Sequence, residues 1–246
     1  MKVFGLIGYP LEHSWSPAFF QRKFRENGLD QCTYRLFPLK VVDEFPFLLN
    51  RMSELCGVNV TIPYKEAILP FLDELDPVAA EIGAVNTIRI SGPAQERKLI
   101  GYNTDAEGFQ QSADFSGYRV ALILGTGGAA KAVAYVLREL CISYLFVSRN
   151  PSGENMVDYQ DLSPDLLKQF ILIINTTPLG MYPDENTAPP ILYDQLTANH
   201  FLYDLVYNPQ ETRFLKNGAR QGARTQSGLK MLYLQAEAAF RIFTRE

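Results

Sequence analysis

The chain predicts an α/β protein built as two domains, and three observations carry that expectation. Short apolar, strand-like runs alternate with helical patterns nearly throughout, the order that produces a largely parallel sheet. The 246 residues suffice for one large or two ordinary domains with proper cores. Near residue 104 the character also changes, and from there strand and helix follow each other strictly.

In the first hundred residues the strand-like runs are "KVFGLIG", "CTYRLFPL", "GVNVT", "NTIRI" and "LIGYN". Helices fit between them over residues 17–27, 42–51 (interrupted by Pro46) and 65–73, and "SGPAQERK" reads as a hairpin turn joining two antiparallel strands. Val58, Val60 and Ile62 alternate with polar residues, as a half-buried strand does. Pro63 then suits the first position of a helix, which would set Lys65 in the first helical turn. A cation there meets the positive end of the macrodipole, so its ammonium form is disfavoured, and a chemical role competes with a merely solvated one.

"TDAE" at 104–107 is a capping-box pattern, with Thr104 as N-cap and Glu107 three residues on, opening a helix that runs to about residue 114. "YRVALIL" is a continuous apolar strand of the kind buried on both faces of a parallel sheet. "GTGGAAKAVAYVLREL" and the strands "SYLFVS", "FILIIN" and "HFLYDLVY" follow. Between residue 150 and "FILIIN" there is room for a strand near "NMVDY" and one short helix, "SPDLLKQF", so one crossover helix should be lost or reduced to a loop. In the last segment Leu229, Leu232, Tyr233, Ala236, Phe240 and Phe243 share a helical face. Such a face must dock, and its return to the N-terminal domain would make that domain residues 1–103 plus 226–246, with 104–225 as the second.

Composition narrows the function. Hydrophobic residues make up 47% and charged residues 20%, with a net charge of −4, so nucleic acid and anionic membranes are excluded as natural partners. Three widely spaced cysteines without a CxxC pair suit a reducing cytoplasm. His13 and His200 stand apart with no cysteine nearby, so no metal site is expected. No run reaches transmembrane length, and the start lacks a signal-peptide pattern.

"GTGGAA" follows a strand and opens a helix. Gly125, Gly127 and Ala130 satisfy GxGxxA, while Gly128 and Ala129 stand where helix N–H groups can meet a phosphate. This predicts a Rossmann-like, dinucleotide-binding second domain, although a methyltransferase or a purely structural turn shares the motif. The next strand ends in Ser148, Arg149 and Asn150 rather than in the acid that bonds a ribose 2′-hydroxyl. Arginine can pair with a 2′-phosphate, which favours NADP, the alternative being a solvated strand-end arginine. "PSGEN" supplies no second cation and brings Glu154 close in sequence, which should limit the preference.

"GYPLEHSWSP" carries Ser14 and Ser16 at a strand end. Two hydroxyls there can hold a carboxylate jointly, or one can simply cap the following helix. Asp105 is a well-placed acid in the first turn of a helix, yet "GYNTD" also ends a strand where the chain crosses between domains, the place for a ligand cleft.

Eight ordered motifs resemble the shikimate dehydrogenases nearly end to end: "GYPLEHSWSP", "GVNVTIPYK", "IGAVNT", "GYNTD", "GTGGAAKA", "INTTPLGM", "DLVYNPQET" and "TQSGLKMLYLQA". The resemblance implies NADP-dependent reduction of 3-dehydroshikimate to shikimate in aromatic amino-acid synthesis, with Lys65 and Asp105 as catalytic pair. It implies Ser14, Ser16, Thr61, Asn86 and Gln235 as substrate ligands, Tyr207 near the carboxylate, and Thr176 and Gly228 as cofactor contacts. A monomer or homodimer is expected. The rivals are a quinate/shikimate dehydrogenase of broader substrate or NAD use, and a non-catalytic sensor of cofactor or substrate. Folate-linked dehydrogenases share the architecture but leave "HSWSP" and "TQSGLKMLYLQ" unexplained.

Overall fold

The computed structural model describes residues 1–12, 14–93, 96–153 and 155–245. It divides into two compact units, one of residues 1–107 with 235–246 and one of residues 108–234.

In the first unit the elements are β1 (Lys2–Gly8), α1 (Ser16–Glu26), β2 (Cys32–Pro38), α2 (Phe45–Arg51), β3 (Leu55–Val60), β4 (Glu74–Leu75), α3 (Pro77–Ile82), β5 (Thr87–Ser91), β6 (Lys98–Tyr102) and the start of α4 (Thr104–Ser112). The strands form one sheet in the order β2-β1-β3-β5-β6-β4. β1 runs parallel to β2 and β3, and β5 runs against both β3 and β6. The expected hairpin is seen in the pairing of Ser91 with Lys98, while its tip at 94–95 lies outside the described residues, as do His13 and Glu154. Pro46 does not break α2 but sits in its first turn, where its missing N–H costs nothing. α3 was not foreseen, although its signals are plain: Asp76 caps Val78 N–H, Pro77 follows, and Gly83 closes the helix at φ +69°.

The helix expected over 65–73 does not form. That stretch is a series of turns ending in a 3₁₀ turn over Leu69–Phe71. Pro70 has no N–H for the carbonyl of Glu66, and Val85 N–H takes the Lys65 carbonyl at 2.7 Å. The turns are pinned instead by buried Tyr64 and Ile68, with Tyr64 Oη donating to Leu39 O at 2.7 Å. The capping box is also corrected. Asn103 Oδ1 accepts from Ala106 N–H and caps α4, which frees Thr104 for another task, and Glu107 pairs with Arg241.

The second unit holds β7 (Val120–Leu124), α5 (Gly128–Glu139), β8 (Ser143–Ser148), β9 (Met156–Asp158), α6 (Pro164–Gln169), β10 (Leu172–Asn175), β11 (Phe201–Asp204), α7 (Arg213–Arg220), β12 (Arg224–Ser227) and the start of α8 (Leu229–Thr244). All its strands are parallel, in the order β12-β11-β10-β7-β8-β9. Ala121 to Leu124 are wholly buried, as a strand covered on both faces must be. The order reverses between β7 and β10, which makes the crevice at their carboxyl ends the topological switch point. β8 and β9 are joined with no helix among the described residues, the loss that the short sequence there required. β12 was not anticipated, since "RTQS" is polar and only its pairing to β11 makes it a strand.

The end of α8 returns to the first unit. Ala236, Ala239, Phe240 and Phe243 pack with Phe4 of β1, Phe20 and Phe24 of α1 and Tyr34 of β2. Phe20 stacks on Tyr34 with centroids 4.4 Å apart, and Phe243 lies 4.9 Å from Phe4. Tyr233, expected on this buried face, is exposed, and Ala239 and Ile242 take up burial that the helical wheel did not give them.

Candidate active site

In the first unit a chain of buried polar groups crosses the strand ends. Ser14 Oγ accepts from Ser16 N–H at 3.3 Å, while the N-cap of α1 is Trp15 with no capping side chain, so neither serine serves as the N-cap of that helix. Ser16 bonds the hydroxyl of Tyr34, which donates to Asn59 Oδ1 at 2.7 Å. Burial pushes the Tyr34 hydroxyl well above the ordinary tyrosine range, so it stays a donor. Asn59 Nδ2 donates to Thr87 Oγ1 at 3.0 Å, its antiparallel partner across β3 and β5. Thr87 Oγ1 donates in turn to Asn86 Oδ1 at 3.1 Å.

Asn86 is the hub. Its Oδ1 accepts from Thr104 N–H at 2.7 Å, a donor that fixes which way the amide faces. Its Nδ2 therefore points toward Thr104 Oγ1 at 2.9 Å and Gln235 Oε1 at 3.5 Å. Thr104, spared from capping, links Asn86 to Gln235, with Oγ1 3.4 Å from Oε1. Thr61 stands at the end of β3 with its N–H on Ile7 O and its methyl against the space over Gly8.

Lys65 Nζ lies 2.6 Å from Asp105 Oδ2, with the two side chains only 17% and 7% exposed. The first turn of α4 favours the carboxylate through the helix dipole, and a charge-assisted bond this short holds the ammonium in one direction. The dipole argument for Lys65 itself falls with its missing helix. What places the lysine is the turn anchored by Tyr64 and Ile68 and its carbonyl's bond to Val85, next to Asn86 in the chain. Thus Lys65, Asp105, Asn86, Gln235 and the Ser16 branch belong to one connected region of this unit. Tyr34, Asn59, Thr87 and Thr104 belong to it as well and were missed. Asn59 and Thr87 had a signal, since each is a polar residue on a strand otherwise destined for burial.

In the second unit Gly125 turns at φ +106°, and a Cβ there would sit 2.8 Å from Thr176 Oγ1. The glycine turn and Thr176 thus meet at the switch point between β7 and β10. Gly127 is the N-cap of α5 with no side-chain cap, and a Cβ on it would meet nothing within 4 Å. Open space in front of uncapped N–H groups at Gly128 and Ala129 suits a pyrophosphate. Ala130 is fully buried against the sheet, as the third position of the motif requires. Arg149 is exposed at the end of β8, where Asn150 N–H donates to Ser148 Oγ at 3.2 Å and none of the three is acidic. This donor set, two hydrogen-bonding neutrals and one cation, fits a 2′-phosphate better than a free ribose. Tyr207 is half-buried in the loop after β11. Gly228 is required by packing, because a Cβ there would fall 2.1 Å from Leu205 O.

Residues 6–88 match the family described as shikimate dehydrogenase substrate binding domain. The shikimate dehydrogenase (NADP(+)) of Carboxydothermus hydrogenoformans is 39% identical over 99% of this chain and 91% of its own length. A structure of shikimate 5-dehydrogenase from Thermus thermophilus, in complex with NADP(H) and shikimate, is 32% identical with a TM-score of 0.84, covering 99% of this chain and 94% of that one. The quinate dehydrogenase of Corynebacterium glutamicum, in complex with NAD, is 29% identical with a TM-score of 0.85 over 99% and 93%. With sequence identity sustained over nearly the whole of both chains, and with its motifs standing on the strand ends that this architecture uses for ligands, the protein belongs to the shikimate dehydrogenase family.

Proposed function

We propose that this chain catalyses the reversible, NADP-dependent reduction of 3-dehydroshikimate to shikimate, with residues 1–107 and 235–246 as the substrate unit and 108–234 as the cofactor unit. The observation that carries the reading is the Lys65–Asp105 pair at 2.6 Å beside the Asn86–Gln235 amides. The reduced nicotinamide, when bound, supplies the hydride. Lys65 then gives a proton to the carbonyl oxygen being reduced, and Asp105 holds its ammonium in place. Asn86 and Gln235 orient the ring hydroxyls, with Thr61 alongside, while Ser14 and Ser16 hold the carboxylate through neutral donors. Gly125, Gly127, Gly128 and Ala129 receive the pyrophosphate, Ser148, Arg149 and Asn150 the 2′-phosphate, and Thr176 and Gly228 flank the nicotinamide half. Three unpaired cysteines support a reducing, cytoplasmic setting.

A second reading, quinate oxidation with NAD, draws on the equally close fold of the quinate dehydrogenase. The two serines at 14 and 16 favour shikimate over it. Initial rates of the purified protein with shikimate and quinate, each against NADP and NAD, decide between them. The highest kcat/KM is expected for shikimate with NADP. A higher value for quinate with NAD selects the second reading, and turnover of neither leaves a sensor.

A further inference from the structure

Asp204, the last residue of β11, is wholly buried and stands in register beside Asn175, the last residue of β10. Its partners are all neutral. Asn175 Nδ2 donates to Oδ1 at 2.9 Å, Val206 N–H donates to Oδ1 at 3.0 Å, and Thr212 Oγ1 donates to Oδ2 at 2.6 Å. The directions are fixed by the surroundings. Asn175 Oδ1 is taken by Thr177 N–H and Oγ1, so its amide nitrogen must face the carboxylate. Thr212 Oγ1 already accepts from Leu215 N–H, so its proton goes to Asp204.

The carboxylate therefore reaches both loops that leave this edge of the sheet. Through Asn175 and Thr177 it sets the start of the loop after β10, where Thr177 Oγ1 also receives Leu179 N–H at 3.3 Å. Through Val206 and Thr212 it closes the loop from β11 to α7 at both ends. The two loops are tied again by Tyr182 N–H donating to Asn208 O at 3.1 Å. One loop carries Thr176 and the other Tyr207. Burial pushes Asp204 up to about 6 in spite of its three donors, so the charge is held there at a cost that a neutral side chain would avoid.

We infer that Asp204 is a positioning residue of the reaction, a clasp that sets the loops bearing Thr176 and Tyr207 at the carboxyl ends of β10 and β11. The inference rests on the proposed function for what those loops hold, and on the hydrogen bonds alone for the clasp itself.

The test compares wild type with Asp204→Asn, Thr212→Val and Thr212→Ser. Asp204→Asn and Thr212→Val should lower kcat about ten- to a hundredfold and raise KM for shikimate. Both should bind 2′,5′-ADP, a probe of the adenosine half alone, within twofold of wild type. Thr212→Ser keeps the hydroxyl and should retain most of the activity. In hydrogen exchange, amides at 176–182 and 205–209 should exchange faster in Asp204→Asn and Thr212→Val, with 120–135 unchanged. If Asp204→Asn does not fold, Thr212→Val carries the same comparison. The inference is overturned if loop exchange is unaltered, if 2′,5′-ADP affinity drops in step with kcat, or if Thr212→Ser is as impaired as Thr212→Val. A wild type inactive toward shikimate overturns the functional reading instead, and loop exchange still decides the clasp.

Discussion

Lys65 and Asp105, 40 positions apart in the chain, meet at 2.6 Å, and each is fixed by its own backbone. The lysine's carbonyl is bound by Val85 N–H, and the helix of Asp105 is capped by Asn103, whose Nδ2 donates to Ala84 O at 2.9 Å. Residues 84 and 85 therefore tether both partners, and the pair has little freedom to separate.

If this pair moves the proton of the reacting oxygen, Lys65→Ala should lower kcat by about 10²–10⁴-fold. Asp105→Asn should cost a comparable amount, and the double variant little more than either, because the two groups act as a unit. Steady-state kinetics on folded protein checks this. Activity of Lys65→Ala within a few-fold of wild type would remove the assignment.

Ser14 and Ser16 are expected to bind and not to react. Replacing both by alanine should raise KM for shikimate and leave KM for NADP alone. Tyr34→Phe makes a sharper probe, because it strips Asn59 Oδ1 of the donor at 2.7 Å. An acceptor left buried and unpaired costs about 1–3 kcal/mol, so the urea midpoint should fall along with substrate affinity. An unchanged KM in the double serine variant would put the carboxylate elsewhere.

If Arg149 pairs with the 2′-phosphate as proposed, it sets the cofactor preference. One charge-assisted bond contributes roughly 1.5–3 kcal/mol, which is about ten- to a hundredfold in discrimination. Arg149→Ala should raise KM for NADP by that factor and leave KM for NAD nearly unchanged. Equal weakening of both would mean that the arginine supports the loop and reads no phosphate.

Asp204 gives a pH dependence of known sign. Folding raises its carboxyl from 3.8 to about 6, chiefly through desolvation, so the folded state favours the protonated form. The contribution to stability is full below pH 3.8 and is lost as pH rises through 6. The hydroxyls of half-buried Tyr193 and buried Tyr203, which face it, are pushed further up and stay neutral across this window. Relative to Asp204→Asn, the wild type should therefore lose about 2 kcal/mol between pH 4 and pH 7, read as the gap between their urea denaturation curves. A gap that does not change with pH would contradict the buried charge.

What the sequence made legible follows from how local each cause is. β7 is a run of apolar residues and needs no partner to be recognised, and the glycine turn after it is written in consecutive letters. The turn around Lys65 is not local. It depends on Val85 taking a carbonyl and on Tyr64 and Ile68 finding the core, and a helical reading of 65–73 could see neither. Thr104 looked like a cap because the pattern of 104–107 is complete in itself, while Asn103 competes for the role through its bond to Ala84. Tyr34 reads as an ordinary core tyrosine until Asn59 is placed opposite its hydroxyl. The grouping of Lys65 with Asp105 came from family resemblance and not from spacing, since nothing in the residues between them announces a 2.6 Å contact.

The return of α8 sets an order of events during synthesis. Residues 108–234 form one unit from a continuous stretch, but the other unit takes Phe240 and Phe243 into its core. The rings of Phe4, Phe20 and Phe24 therefore lack this cover on a nascent chain until residues 108–234 have been translated, on the order of ten seconds at ~5–20 residues per second. The part of the protein that is made first is the part that finishes last, and for that interval it presents the ribosome's surroundings with an aromatic surface that a chaperone would bind.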